Sequence, residues 1–337
     1  MVKGFWDNYS KDVPVFALAP MEDVTDVAFR ALFAKYSPVQ TVLWTEFTSA
    51  DALAHDFGRT RVDHRLRFDP DTERPIVAQI FGANPETIEI AARHCAELGF
   101  DGIDLNMGCP VKKIVESGSC SGLIRTPDVA LETIAAARRG AGAVPVSVKT
   151  RIGYNTPDIT GWIGLLLEQD LPALTVHLRT RKEMSDVPAH WDMMQEVIAL
   201  RDDKAPDTLI IGNGDVESMG DARTKITQTG CEGIMIGRGA FGNPWFFDES
   251  YTPTAQDKLR VLVEHTHLFE TEFLQKPVDA DADWYRSKNF AIMKKHFKAY
   301  ANGFDGASAL RVSLMETESA SDVEKVVEDF LQQATEL

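Results

Sequence analysis

Gln79, Asn106, Cys109, Lys149, Arg151, His177, Asn213 and Arg238 lie far apart in the chain, yet each stands at or just beyond the end of a short apolar or β-branched run. Amides, cations, an imidazole and a thiol repeated at such places suit one polar ligand bound where the runs end. Two of these ends are rich in glycine, Ile211-Gly-Asn-Gly-Asp215 and Ile236-Gly-Arg-Gly239. Glycine lets backbone N–H groups approach phosphate oxygens and a guanidinium adds a fixed donor fork, so these loops with Arg238 imply a phosphorylated ligand. Cys109 offers a second chemistry. A thiol with an ordinary pKa of about 8.5 is mostly protonated near neutrality, yet acidic enough to quench an enolate.

The runs that must position these groups are Val13–Ala19, Thr41–Thr45, Pro75–Ile80, Gly102–Asn106, Val144–Lys149, Leu174–His177, Thr208–Gly212 and Gly233–Gly237. Most are followed by a helix-period stretch with a capping residue: Asn84-Pro85 before Glu86–Leu98, Thr126-Pro127 before Asp128–Arg139, Asp215 before Val216–Thr227. Strands alternating with helices in this way predict an α/β fold, a closed (β/α)₈ TIM barrel rather than an open doubly wound sheet. Barrel enzymes carry their active residues where strands end, and often bind phosphate after the last two strands, where both glycine loops fall. Ser49–Arg74 shows no clear element. Beyond Pro253 the strand signals stop, and Thr254–Phe273, Asp283–Ala301 and Ser321–Leu337 read as helices, with Thr254 as a cap. The expected organisation is a barrel domain over 1–250 and a smaller all-helical domain over 251–337.

Composition bounds the reading further. With 337 residues, 44% of them hydrophobic, the chain can build sizeable cores. Its start has no basic stretch leading into an apolar run, and no window resembles a membrane span, so a soluble cytoplasmic protein with no membrane contact is expected. The four cysteines, at 95, 109, 120 and 231, form no Cys-x-x-Cys pair, which predicts free thiols and no metal. A net charge of −16 excludes a protein that coats nucleic acid, so any RNA contact needs a local patch. One exists between Arg286 and Arg311, where Arg286, Lys288, Lys294, Lys295, Lys298 and Arg311 face a single acid, Asp305. Gly237-x-Gly239-x-x-Gly242 fits a dinucleotide pattern but closes a last strand instead of opening a first βαβ unit. Gly118-Ser-Cys-Ser-Gly122 has the letters of a nucleophile elbow without a preceding strand, and reads as a tight turn.

Together these segments resemble the tRNA-dihydrouridine synthase family over Val15 to about Met315. The resemblance is carried by Leu18-Ala-Pro-Met-Glu-Asp-Val-Thr-Asp26, Leu105-Asn-Met-Gly-Cys-Pro-Val-Lys-Lys113, Val148-Lys-Thr-Arg-Ile-Gly153, Val176-His-Leu-Arg-Thr-Arg181, Gly212-Asn-Gly-Asp215, Met235-Ile-Gly-Arg-Gly239 and a C-terminal stretch from Lys295 to Arg311. It implies FMN, with Pro20 and Met21 against the ring, Gln79, Lys149 and His177 around its polar edge, and Asn213, Gly214, Asp215, Gly237 and Arg238 at the ribityl phosphate. It implies NADPH or NADH as reductant and tRNA as substrate, one uridine of which gains a hydride at C6 and a proton at C5 from Cys109. Asn106, Arg151 and Arg179 would meet the substrate uridine, and Lys294, Lys295 and Lys298 the tRNA; a monomer is expected. Two departures stand next to the active face: Leu178 where the family often has glycine, and Ser119-Cys120-Ser121 in place of small apolar residues. Alternatives are an FMN-dependent dehydrogenase of a free pyrimidine, similar to dihydroorotate dehydrogenases, which needs no basic helical domain, and a non-catalytic tRNA-binding protein, against which the retained site residues count.

Overall fold

The computed structural model describes residues 2–37, 41–275 and 288–335. They form two compact units, Met1–Glu22 with Gln40–Gly239, and Asp23–Val39 with Ala240–Leu337.

The first unit is a parallel barrel. Its strands are β1 (Val15–Leu18), β2 (Leu43–Trp44), β3 (Thr48–Ser49), β4 (Ile76–Phe81), β5 (Gly102–Met107), β6 (Val146–Arg151), β7 (Ala173–His177), β8 (Leu209–Asn213) and β9 (Gly233–Ile236). The order runs β1-β9-β8-β7-β6-β5-β4-β2, and β3 also pairs with β4, so β2 and β3 are two pieces of one barrel strand. Leu18 N–H to Val42 O and Val42 N–H to Phe16 O, both 3.0 Å, close the ring between β1 and β2. All eight runs read from the sequence overlap a barrel strand, with bounds off by one or two residues at most of them.

Alternation along the strands decides what faces inward. Trp6, Tyr9, Val15, Ala17, Ala19, Val42, Trp44, Val77, Ala173, Ile211 and Met235 pack as one apolar cluster, which fixes the inward parity of six strands. Continuing that parity brings His177, Asn213 and Gly237 to the inner rim at the strand ends. The outer faces are covered by helices such as Pro85–Glu97 and Pro127–Ala141, whose buried alanines let them pack closely. A Cβ on Gly140 would stand 2.1 Å from Glu89 O, so that contact needs glycine.

Three local expectations are corrected. Thr126 makes no side-chain cap, and Pro127 at the first position starts its helix. Asp215 does not open the next helix, which begins at Met219 with Ser218 accepting from Asp221 N–H at 3.1 Å; Asp215 is bound to other groups described below. Ser49–Arg74 contains helices Ala50–Leu53 and Asp56–Val62. No residue of the second is buried, so it leaves no apolar period in the sequence.

The second unit is helical: Val27–Tyr36, Ala255–Phe273, Lys294–Tyr300, Ala307–Met315 and Ala320–Thr335. Thr254 and Asp257 form a reciprocal capping box at Ala255. The helix read over Asp283–Ala301 lies partly outside the described residues and its described part is Lys294–Tyr300 after a 3₁₀ turn; Ala307–Met315 was not anticipated. Leu262, Phe269, Phe273, Met293, Phe297, Tyr300 and Leu314 centre its core, joined by Ala28 and Leu32 from Val27–Tyr36. No helix among the described residues is long and apolar enough to cross a membrane.

Candidate active site

A cavity of about 590 Å³ opens at the C-terminal ends of the barrel strands. Pro20, Met21, Lys149, His177, Arg179, Asn213, Gly214, Asp215, Gly237 and Arg238, all singled out in the sequence, line it together with Ser185 and Glu217. The register explains the convergence, because His177 pairs with Asn213 and Asn213 with Met235 across β7, β8 and β9.

Charge and hydrogen bonding define what the cavity can hold. Lys149 Nζ donates to Asn213 Oδ1 at 3.2 Å, and Asn213 Nδ2 donates to Met235 O at 2.8 Å. Burial, aided by the Arg151 charge, lowers the Lys149 pKa to about 8. Burial first, then Arg151, Lys149, Arg179 and Arg238, holds His177 well below its ordinary 6.5, so its ring is neutral. Arg179 Nη1 lies 3.1 Å from His177 Nε2, and a guanidinium can only donate, which leaves the imidazole proton on Nδ1. Asp215 is shared by two cations: Arg179 Nη2 bonds Oδ2 and Arg238 Nη2 bonds Oδ1 at 3.0 Å. The Arg179 bond, with Ala189 N–H, keeps its carboxylate below the usual range. Gly214 has φ +128° and a Cβ there would stand 2.7 Å from Ala189 Cβ, so this turn requires glycine.

Gln79, Asn106, Cys109 and Arg151 belong to an adjoining layer. Gln79 is fully buried: its Nε2 donates to Asp104 Oδ2 at 2.7 Å and its Oε1 accepts from Asn106 Nδ2 at 2.9 Å. Ser147 Oγ donates to the other Asp104 oxygen at 2.7 Å. Burial raises Asp104 to about 6 despite these bonds and Lys149. Asn106 Oδ1 in turn accepts from Gly108 N–H at 3.0 Å and Cys109 N–H at 2.9 Å, so a buried polar chain from Ser147 ends by fixing the backbone that carries Cys109. Asp104 and Ser147 escaped the sequence reading; the signal was a polar residue at alternate positions of otherwise apolar strands.

Cys109 is partly exposed and Cys120 is buried beside it. Ser121 clamps the pair, its N–H and Oγ reaching Cys109 O at 3.3 and 2.8 Å. The Cys120 thiol hydrogen bond lowers the Cys109 pKa from 9.0 to about 7, with help from Val111 N–H and Arg151 and against burial and Glu22. Cys120 itself is pushed up, mainly by burial. The tight turn read at Gly118–Gly122 is present, with Gly118 and Cys120 both at positive φ. Arg151 is buried, and three of its donors are taken by carbonyls: Nε by Gly108 O at 2.7 Å, Nη1 by Thr180 O at 3.0 Å and Met184 O at 2.7 Å. It braces the Cys109 loop against the loop after β7.

In the helical unit, Lys294, Lys298 and Arg311 line a separate cavity of about 310 Å³ with Phe297, Val312 and Met315. Lys294 Nζ donates to Met315 O at 2.6 Å and Lys295 pairs with Asp23 at 3.1 Å. Lys288 is buried against Asp26 at 3.0 Å, so it adds no surface charge to the basic stretch, and Arg286 lies outside the described residues. No cluster of three or more metal-ligating side chains occurs among the described residues.

A closed parallel barrel with a cation-lined cavity at its C-terminal mouth, next to an acidified thiol, defines a barrel enzyme for an anionic ligand. The dihydrouridine synthase (Dus) family model matches residues 17–335, and the chain belongs to that family. "Probable tRNA-dihydrouridine synthase 2" of Bacillus subtilis is 42% identical over 98% of this chain and 97% of its own length. "Probable tRNA-dihydrouridine synthase" of Staphylococcus aureus strain COL is 41% identical over 100% of this chain and 98% of its own. Among solved structures, the old yellow enzyme homologue from Zymomonas mobilis aligns with 81% of this chain and 96% of that chain at 13% identity and a TM-score of 0.47.

Proposed function

We propose that the protein is a cytoplasmic tRNA-dihydrouridine synthase, reducing the C5–C6 bond of a uridine in tRNA with FMN in the mouth cavity and NADPH or NADH as reductant. Residues 1–250 are the catalytic part and 251–337 the tRNA-binding part. Support comes from the family and from the names of the relatives, which match both units over nearly their whole length. The observation that carries the reading is the Cys109 loop, anchored through Asn106 to a buried network and carrying a thiol with a pKa of about 7 at the end of a barrel strand.

The cavity suits the cofactor. Its volume falls within the roughly 300–1,000 Å³ typical of ligand sites. Lys149 and neutral His177 offer donors for a polar ring edge, Pro20 and Met21 an apolar wall, and Asn213, Gly214, Asp215, Gly237 and Arg238 a phosphate cradle. Gln79, its amide bonded to Asp104 and Asn106, supports the Cys109 loop through Asn106. Bound there, FMN supplies the hydride for C6 of uracil. Hydride addition builds charge into the C5–C4–O4 enolate, and Cys109 gives its proton to C5. The base must leave its stack to reach this depth. Arg179 holds the neutral tautomer of His177 and closes the side of the pocket, Asn106 and Arg151 hold the loop against which the uracil rests, and Lys294, Lys295 and Lys298 meet the tRNA backbone.

The test separates the half-reactions. Cys109→Ala is expected to be reduced by NADPH yet to form dihydrouridine about 10²–10⁴-fold more slowly, as for loss of a positioned general acid. Wild-type reoxidation of the reduced variant by unmodified tRNA under anaerobic conditions would refute the role.

A further inference from the structure

The loops after β5 and β7 carry cations that the chemistry above leaves unused, and the loop after β6 lies between them. Arg125 ends the turn Cys120–Arg125 beyond β5, Tyr154 follows β6 and Arg181 follows β7. The Arg125 guanidinium lies 5.1 Å from the centroid of the Tyr154 ring and that of Arg181 lies 5.5 Å from the same ring. Arg181 N–H donates to Gly153 O and Lys182 N–H to Tyr154 O, both at 2.9 Å, so the second and third loops are zipped together.

These cations lack the partners that surface cations elsewhere on the barrel have. Arg93 and Arg139 both pair with Glu89, and Lys204 pairs with Glu168. Among the described residues no carboxylate pairs with Arg125, Arg181, Lys182 or Lys113. Arg181 Nε is also shielded from solvent with no hydrogen-bond partner, a donor left for an oxygen that the chain does not itself supply. In a chain of net charge −16, unpaired cations gathered on two loops, after β5 and after β7, and joined across Tyr154 of the loop between them mark a surface for an anion. The surface adjoins the thiol, because one guanidinium, Arg151, bonds Gly108 O next to Cys109 and Thr180 O next to Arg181.

We infer that Arg125, Tyr154 and Arg181 form a contact for the RNA strand beside the target uridine, the shared ring holding two guanidinium forks toward phosphate oxygens. The inference rests on the tRNA-modifying function proposed above. Guanidinium suits phosphate through its paired donors, and an aromatic face fixes its plane at little entropic cost. Backbone contacts of this kind set register without reading sequence.

Binding of an unmodified tRNA transcript to the full-length, FMN-loaded protein, measured over a series of salt concentrations, tests this. Arg125→Ala/Arg181→Ala should weaken binding about tenfold at low salt and flatten the plot of log K against log salt by about 1.4–1.8, since each lost phosphate contact removes roughly 0.7–0.9. Arg93→Ala/Arg139→Ala removes the same charge from barrel helices and should leave the slope at the wild-type value. Retained flavin absorbance checks the fold. If the double variant does not fold, Arg125→Ala alone, at an exposed side chain, must still flatten the slope by about 0.7. A wild-type slope in the rim variants, or an equal loss in the helix control, overturns the inference while leaving the proposed reaction standing. Failure of the wild-type protein to bind tRNA at all would overturn that reaction instead.

Discussion

Cys120→Ala is the substitution whose effect on chemistry follows most directly from the structure. The Cys120 thiol is the largest influence holding Cys109 at about 7 rather than 9.0. Removing it lets burial and Glu22 dominate, so the Cys109 pKa should climb by up to about two units, each unit being about 1.4 kcal/mol between the two protonation states. A proton donor works only in its protonated form, and wild-type reoxidation by tRNA should fall as pH rises through about 7. At pH 8.5 roughly 3% of a thiol of pKa 7 is protonated against roughly 75% of one of pKa 9, but the weaker acid transfers its proton about tenfold more slowly. The two profiles should therefore cross. The variant is about tenfold slower near pH 6 and equal to or up to about threefold faster near pH 8.5. Cys120→Ser keeps a hydrogen-bond donor and should stay close to wild type. The assay is anaerobic stopped-flow reoxidation of pre-reduced enzyme by unmodified tRNA over a pH series, with iodoacetamide alkylation reporting the Cys109 thiolate directly. An unchanged alkylation midpoint in Cys120→Ala, or a wild-type rate that increases through pH 7, would refute the reasoning.

Two further outcomes are expected. Arg238→Ala should weaken FMN retention by on the order of tenfold, the lower end for a charge-assisted phosphate contact because the side chain is largely exposed and already shared with Asp215; titration of the apoprotein with FMN measures it, and unchanged affinity would remove Arg238 from the cradle. Asp104, raised to about 6 by burial, stabilises the fold when protonated: its contribution is complete below about pH 4 and is lost as pH rises through 6, a change of about 3 kcal/mol. Asp104→Asn should flatten the dependence of denaturant stability on pH between about 4 and 7, and a slope equal to wild type would mean that the carboxyl ionises freely in the fold.

What could be read from the sequence was whatever a single strand decides. His177, Asn213 and Gly237 stand at the ends of runs whose alternation alone turns them inward, so they were found from position and type. The relation between strands was not available in the same way. Gln79 looked like a further rim residue, yet register pairs it with Asp104, and Asp104 with Ser147, one inward step below the pair Asn106 and Lys149. That stagger is a property of the closed barrel and is encoded by no one strand. It turns Gln79 from a wall residue into a link between a buried acid and the amide that holds Cys109. Arg151 differs in the same sense: its type and place suit a nucleic-acid contact, but three backbone carbonyls from two other loops use the donors on its Nε and Nη1. Carbonyls carry no sequence signal, so a cation that serves them cannot be told in advance from one that serves a ligand. The distinction appears only when partners are counted, and by that measure Arg125 and Arg181, whose guanidinium groups no carboxylate holds among the described residues, are cations on this rim still free to bind.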